Sequence, residues 1–135
     1  SAVQASIVMC GAVDLLDPHI LQRIDKAKDS PRGDSVIDFL GGHLPNKNKA
    51  IYKEASSLSH VGKHSPPYLF IDGQFDRPEV RYVDFRKQLD LHKIPNQFVL
   101  MPKGPHPFWV FEEWFEPTVD AVDAFLQKHL IAKGK

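Results

Sequence analysis

The stretch "YLFIDGQFDRPE", Tyr68 to Glu79, decides the fold. Its first five residues form a continuous apolar run that closes on an acid, Asp72. This profile is typical of a central strand in a parallel sheet, because such a strand is buried on both faces. A turn-rich loop follows, and Pro78 then opens a helix that is predicted to end near His92. The stretch therefore predicts a strand that leads through a polar loop into a helix.

The segments on either side repeat this alternation. Upstream, Val3–Met9 is apolar and predicts a mostly buried strand, and a helix is predicted from Pro18 to about Lys28. Downstream, "QFVLM" predicts a third strand, and a last helix is predicted to start at Glu116. Short helices in "SVIDFLGG" and "KAIYKEAS" lie between the first two strands. Strands that alternate with helices predict an α/β fold with a parallel sheet and right-handed crossovers.

Length and charge limit the classes of protein that the chain can belong to. Its 135 residues are expected to form one domain, 1–135. The 17 basic and 17 acidic residues cancel and no basic run is present, so no nucleic-acid partner is expected. The apolar runs are shorter than the roughly 20 residues that span a bilayer, so no membrane partner is expected. The chain begins in a strand-like run, so any targeting segment is expected upstream of Ser1. The sequence therefore does not predict the cellular compartment.

The cysteine and histidine content argues against a metal site. The single cysteine, Cys10, cannot form an internal disulfide or a cysteine-rich metal site. It ends an apolar run and is therefore interpreted as a packed small hydrophobic residue. The seven histidines are scattered and show neither HxH nor HExxH spacing. No metal and no cofactor are predicted.

Two titratable residues follow neighbouring predicted strands. Asp76 lies in the loop after the second strand, and His106 lies after the third, in "GPHPFW". Ligands and chemistry collect at the carboxyl ends of the strands in open parallel sheets, so these side chains are predicted to meet. An acid beside a histidine fixes the imidazole tautomer and stabilises its protonated form. The residues alone leave open the alternative that Asp76 is a turn residue and His106 a satisfied polar group.

Three segments resemble the C-terminal half of an α/β-hydrolase, in the group of serine carboxylesterases that includes acetyl-xylan and feruloyl esterases. They read "HSPPYLFIDGQFDRPEV", "LHKIPNQFVLMPKGPHPFW" and "WFEPTVDAVDAFLQKHL". The resemblance covers nearly the whole chain and is strongest from Ser65 to Leu130. It implies about three parallel strands, the sixth to eighth of the family, with flanking helices. It also implies that His106 is the base and Asp76 the acid of a catalytic triad, with Asp72 as the second choice for the acid.

Five aromatic residues follow His106 in "PFWVFEEWF". Core packing is the favoured interpretation for all of them, because large aromatic side chains dominate protein cores. The resemblance places them beneath and beside an acyl pocket. The two nearest to His106 are therefore also candidates for substrate binding, and they are Trp109 and Phe108.

The chain departs from the resembled family in its catalytic motifs. The nucleophile elbow G-x-S-x-G occurs nowhere, and neither does an HGGG-type oxyanion loop. Two interpretations stay open. In the first, the chain supplies the acid and base of a serine esterase that acts on small carboxylic esters, with carbohydrate-linked esters among the candidates. In the second, it is a non-catalytic half-domain that self-associates and acts as a binding or structural module.

The first predicted strand also predicts a partner. Val3–Met9 contains no proline and no charge, and it becomes an apolar sheet edge where the family has a fifth strand. Such an edge is a template for another strand. A homodimer through the first strand, with one continuous six-stranded sheet, is predicted. The alternative partner is an N-terminal fragment of the parent hydrolase, which would also supply the serine.

Overall fold

The computed structural model describes residues 3–27, 29–30 and 33–131. Contacts divide the chain into two compact units, one made of Ser1–Gly11 with Val61–Lys135 and the other of Ala12–His60. The single partial domain over 1–135 stays a prediction. Within the described ranges, no helix is long and apolar enough to cross a membrane.

Three strands and six α-helices form the regular structure of the described residues. The strands are β1 (Ser6–Met9), β2 (Tyr68–Gly73) and β3 (Asn96–Met101). The helices are α1 (Pro18–Ala27), α2 (Ser35–Phe39), α3 (Lys49–Ala55), α4 (Pro78–Arg81), α5 (Val83–Leu91) and α6 (Glu112–Leu126). Single 3₁₀ turns follow α3, β2 and the loop after β3, and a π turn ends the described chain.

The strands form one parallel sheet in the order β1-β2-β3, which confirms the predicted α/β class. Leu69, Phe70 and Ile71 of the central strand are fully buried, as the continuous apolar run predicted. The first strand is shorter and less buried than predicted, since it begins at Ser6 and is half-buried along most of its length. It differs from β2 because only one strand of the described residues pairs with it.

Both faces of β2 carry packed side chains. On one face, Leu69 and Ile71 belong to a core cluster with Phe108 and Phe125. On the other face, the ring of Phe70 lies 4.6 Å from that of Tyr82. The helices after β2 and β3 therefore cover opposite faces of the sheet, the usual consequence of a buried parallel strand.

The helix predicted from Pro78 to His92 is interrupted at Tyr82. The backbone of Tyr82 leaves the helical region, with φ −114° and ψ 5°, and separates α4 from α5. The Tyr82 side chain is buried, and its hydroxyl donates a 2.8 Å hydrogen bond to Asp72. This tertiary contact explains why the segment predicted as one helix forms two helices, α4 and α5.

The start predicted for the last helix was wrong. Helix α6 begins at Glu112 rather than Glu116, and Pro117 lies inside it. A proline within a helix removes one backbone hydrogen bond. Helix α6 nevertheless continues through Pro117, because its buried residues Thr118 and Phe125 pack along its length. Side-chain burial therefore outweighs the local cost of the proline.

The unit formed by Ala12–His60 is helical. Asp17 precedes α1 and its carboxylate accepts a hydrogen bond from the His19 N–H at 2.8 Å, as expected for a capping residue before Pro18. The core of the unit is a cluster of five buried side chains, Leu15, Ile24, Val36, Leu40 and Tyr52. The three helices of this unit form where the sequence predicted them.

Asp34 is expected to make the stability of this unit depend on pH. Its buried carboxylate caps α2 by accepting from the Val36 N–H at 2.8 Å, and it accepts from Arg23 Nε at 2.7 Å. Burial opposes ionisation, but these hydrogen bonds prevail and hold the pKa of Asp34 below its usual value. Asp34→Ala should lower the free energy of unfolding by about 0.5–2 kcal/mol at neutral pH.

The sign of this pH effect follows from the lowered pKa. The contribution of Asp34 is fully present above 3.8 and is lost as the pH falls through the lower folded-state pKa. Urea unfolding of wild type and Asp34→Ala should therefore give curves that converge in acid. Asp34→Asn is the matched control, because it keeps an acceptor for the Val36 N–H. A difference between wild type and Asp34→Ala that persists undiminished in strong acid contradicts this prediction.

The outer edge of β1 is where the predicted self-association would take place. The Ser6 and Cys10 N–H groups point toward β2, so the alternate N–H groups of Ile7 and Met9 point away from it. We expect a dimer at micromolar concentration that Met9→Lys shifts toward monomer, because a charge on an edge strand opposes pairing. Sedimentation velocity measures this shift, with Leu91→Lys on exposed α5 as the control. A wild-type monomer at all concentrations contradicts the prediction.

Candidate active site at the carboxyl edge of the sheet

The loops after β2 and β3 touch at two glycines. A Cβ atom at Gly73 would overlap the carbonyl oxygen of Gly104, and one at Gly104 would lie 3.1 Å from the Gly73 Cα. The Phe75 N–H also donates to the Gly104 carbonyl at 3.3 Å. The two loops can approach this closely only because neither glycine carries a side chain. This contact brings the residues that follow each glycine into one site.

Asp76 and His106 meet above this contact. His106 Nδ1 lies 3.2 Å from Asp76 Oδ2, within hydrogen-bonding distance. The His106 side chain is 58% exposed and that of Asp76 is 13% exposed. The peptide bond between His106 and Pro107 is cis. The structure thus pairs an almost buried carboxylate with an imidazole that is open to solvent.

Arg81 holds the other oxygen of Asp76. Its Nη2 lies 3.6 Å from Asp76 Oδ1 and donates a 2.7 Å hydrogen bond to the backbone carbonyl of Asp76. Because Arg81 occupies the Oδ1 side, Oδ2 is the oxygen that faces His106. The guanidinium therefore orients the carboxylate and keeps a positive charge beside it.

Cys10 is the third group at the site, and the interpretation of it as a packed hydrophobic residue was incomplete. It borders the core, but its thiol also donates to Asp76 Oδ2 at 2.8 Å. Its backbone lies in the left-handed region, with φ 49°, immediately after β1. Burial, together with the hydrogen bond to Asp76, raises the pKa of the Cys10 thiol to about 12. The thiol is therefore protonated at neutral pH and acts as a donor.

Asp72 lies beneath the site, where it is fully buried. Its Oδ1 accepts from the Cys10 N–H at 3.0 Å and from the Tyr82 hydroxyl at 2.8 Å. Its Oδ2 lies 3.5 Å from Arg81 Nε and accepts no hydrogen bond from the described residues. Burial raises the pKa of Asp72. Of the two candidate acids, Asp76 is the one that the structure places against His106, while Asp72 connects β1, β2 and Tyr82.

The two aromatic candidates for substrate binding differ in their surroundings. Phe108 is fully buried in the core cluster under the sheet, so it offers no surface to a ligand in this structure. Trp109 is half-buried, and its ring meets that of His106 edge-to-face with the centroids 5.7 Å apart. Only Trp109 of these two residues therefore lies where a substrate at His106 would meet it.

The core interpretation was wrong for two of the five aromatic residues. Phe111 is 47% exposed and Phe115 is 52% exposed. Phe111 immediately precedes α6 and Phe115 lies in its first turn, whereas the buried residues of the helix, Thr118 and Phe125, come later. Trp114 is half-buried, and its indole N–H donates to the Pro102 carbonyl at 3.0 Å.

The site also contains a set of donors that could hold a metal ion. Cys10 Sγ, a carboxylate oxygen of Asp76 and a ring nitrogen of His106 all lie within 4.8 Å of one another. Short sequence motifs do not reveal this set, because Asp76 is 30 residues from His106 and 66 residues from Cys10.

Three residues of the site were not predicted from the sequence to belong to it: Cys10, Arg81 and Tyr82. The signal for Cys10 was its position directly after the first strand, at the same sheet edge as Asp76 and His106. Arg81 ends the short helix after the second strand and Tyr82 follows it directly, so they too could have been assigned to this edge. Their partners depend on distances across the fold, which no local pattern contains.

The chain is an α/β protein with a three-stranded parallel sheet and a candidate site at the carboxyl ends of its strands. A solved structure with a similar fold is known. No family model and no curated protein matches the chain. A solved structure described as a truncated form of a carbohydrate esterase from gut microbiota matches 87% of the chain with a TM-score of 0.59 and 21% identity. The chain spans 41% of the length of that structure. At this identity the match establishes the fold, which is like that of part of a carbohydrate esterase.

Proposed function

We propose that this chain supplies the acid and base of a serine esterase of the α/β-hydrolase type. The observation that carries the proposal is the 3.2 Å contact between His106 Nδ1 and Asp76 Oδ2 at the ends of neighbouring parallel strands. The resemblance of the sequence to serine carboxylesterases supports it. So does the fold shared with a truncated carbohydrate esterase.

The geometry divides the reaction between the two side chains. Asp76 accepts a hydrogen bond from Nδ1–H of His106, which leaves the lone pair on Nε2 free to act as the base. Nε2 would take the proton from a serine hydroxyl as the serine attacks the ester carbonyl, and would later give that proton to the leaving alcohol. Asp76 stays ionised and stabilises the imidazolium that forms between these steps.

The nucleophile in this proposal comes from outside the chain. None of the eight serines lies within G-x-S-x-G. Cys10 is a poor substitute, because its thiol donates to Asp76 and its pKa is raised to about 12 by burial and that hydrogen bond. Residues that would precede Ser1 in the parent hydrolase are the proposed source of both the serine and the oxyanion donors.

Small carboxylic esters, including carbohydrate-linked ones, are the proposed substrates. The half-buried Trp109 ring beside His106 suits the acyl or sugar part of such an ester, because aromatic side chains bury flat apolar surface. The proposed reaction uses no cofactor.

Hydrolysis of a short-chain aryl ester tests the proposal. The chain alone should hydrolyse the ester near the background rate, because loss of the nucleophile removes most of the rate in serine hydrolases. The protein encoded by the reading frame extended upstream of Ser1 should contain G-x-S-x-G and be active and sensitive to a serine-directed inhibitor. A fast, inhibitor-sensitive rate from the chain alone contradicts the assignment of the nucleophile. An extended protein with no elbow and no activity contradicts the esterase and favours a binding or structural module.

A further inference from the structure

Two hydrogen-bond donors converge on one carboxylate oxygen at the site. The Cys10 thiol lies 2.8 Å from Asp76 Oδ2, and His106 Nδ1 lies 3.2 Å from the same oxygen. The serine-esterase assignment uses the imidazole and the carboxylate but assigns no task to the thiol. Sulfur, nitrogen and oxygen at one point are the mixed donor set that Zn²⁺ accepts in proteins.

We propose that Cys10, Asp76 and His106 form a binding site for a divalent transition metal ion of the Zn²⁺ class. The site rests only on the positions of three donor atoms and not on the esterase assignment, but a bound metal would occupy His106 Nδ1 and Asp76 Oδ2 and so exclude their catalytic pairing. Its ligands would be Cys10 Sγ, Asp76 Oδ2 and His106 Nδ1, which come from the ends of all three strands of the sheet.

The distances suit tetrahedral coordination after small movements. Metal–ligand distances of about 2.0–2.3 Å place neighbouring donors of a tetrahedral site about 3.3–3.6 Å apart. Two of the three separations are 2.8 Å and 3.2 Å, so a metal would spread those pairs by less than about 1 Å. It would also bring Cys10 Sγ and the His106 nitrogen, which lie within 4.8 Å of each other, to about 3.6 Å. His106 is exposed enough to make such a movement, while Arg81 fixes Asp76 through its other oxygen.

Metal binding would exchange protons in a balanced way. The thiol of Cys10 loses its proton to solvent and the thiolate binds the metal. Neutral His106 moves its proton from Nδ1 to Nε2, so that Nδ1 becomes a ligand and the charge of the ring does not change. Asp76 binds through the oxygen that accepted both hydrogen bonds. Three protein ligands leave one tetrahedral position for water or a small anion.

The donor set selects the kind of ion. One thiolate and one imidazole favour Zn²⁺, Co²⁺ and Cd²⁺, whereas Mg²⁺ and Ca²⁺ require mainly oxygen ligands. Only one oxygen ligand is present in the set. Mg²⁺ and Ca²⁺ at millimolar concentration should therefore leave the site empty.

Cobalt absorbance tests the site without any measurement of activity. Cys10 is the only cysteine of the chain, so a thiolate-to-Co²⁺ charge-transfer band can come from no other residue. We expect this band to appear with one Co²⁺ per chain and to disappear when Zn²⁺ is added. Asp76→Asn and His106→Ala should each weaken Co²⁺ binding by at least the 10–100-fold that loss of an outer-sphere partner costs.

His92→Ala is the matched control for the histidine variant. His92 is exposed at the end of α5, in the same unit as the site, and its replacement should leave the Co²⁺ midpoint unchanged. The absence of a band from wild type at millimolar Co²⁺ overturns the proposal. A band with the wild-type midpoint in both Asp76→Asn and His106→Ala also overturns it, because Cys10 would then bind alone.

A measurement on wild type covers the case in which a variant does not fold. Addition of Zn²⁺ should shift the ring signals of His106 in NMR spectra and leave those of His92 in place. Ring signals of His106 that stay unchanged while Zn²⁺ binds elsewhere contradict the three-residue site.

Discussion

His106→Ala is expected to lower kcat for a short-chain ester by about 10⁶-fold in the proposed esterase, the protein extended upstream of Ser1, because loss of the base disables the nucleophile. Asp76→Asn should lower kcat by about 10⁴-fold, since the amide keeps the shape but favours the wrong imidazole tautomer. The loss should appear in kcat more than in KM, because both residues act on the transition state. Steady-state kinetics on purified variants measure both parameters.

His92→Ala is the control for these kinetic effects. This exposed histidine lies at the end of α5 and should leave kcat within about twofold of wild type. Losses below about tenfold for both His106→Ala and Asp76→Asn contradict their proposed roles. An Asp72→Asn loss larger than that of Asp76→Asn would move the role of the acid to Asp72, the second choice made from the sequence.

Asp72→Ala is expected to lower the free energy of unfolding by about 2–4 kcal/mol. The change leaves the buried Tyr82 hydroxyl without its acceptor, and an orphaned buried donor costs about 1–3 kcal/mol. It also removes one of two acceptors for the Cys10 N–H, which keeps its bond to the Ile71 carbonyl. Arg81 also loses a charged neighbour at 3.5 Å. Urea unfolding followed by circular dichroism measures the difference.

Asp72→Asn separates hydrogen bonding from charge. The amide oxygen can still accept hydrogen bonds from Tyr82 and Cys10, and the buried charge is gone. The free energy of unfolding should therefore stay within about 1 kcal/mol of the wild-type value. The raised pKa of Asp72 gives the sign of the pH effect, because ionisation of the buried carboxylate removes stability as the pH rises through that pKa. The stability of Asp72→Asn relative to wild type should therefore increase as the pH rises. Equal losses for alanine and asparagine contradict this account.

Local sequence patterns predicted the strands and helices correctly where side-chain burial and backbone preference favour the same structure. The apolar run from Tyr68 predicted β2, and proline at the first helical position predicted the start of α1 at Pro18. They failed where packing opposed them. Pro117 lies within α6, and Tyr82 divides the helix predicted after Pro78, because buried contacts outweigh local preference at both positions.

The sequence by itself determined the α/β class, the parallel sheet and the positions of Asp76 and His106 in the loops after two successive strands. These features follow from the spacing of apolar residues within each segment and from the order of strands and helices along the chain, both of which can be seen in the sequence. Only the tertiary structure brought Cys10 to the same oxygen as His106. That convergence requires β1 beside β2, a left-handed turn at Cys10 and two loops that touch at Gly73 and Gly104. Such contacts join residues 30 to 66 positions apart, where no local pattern of residues records the distance.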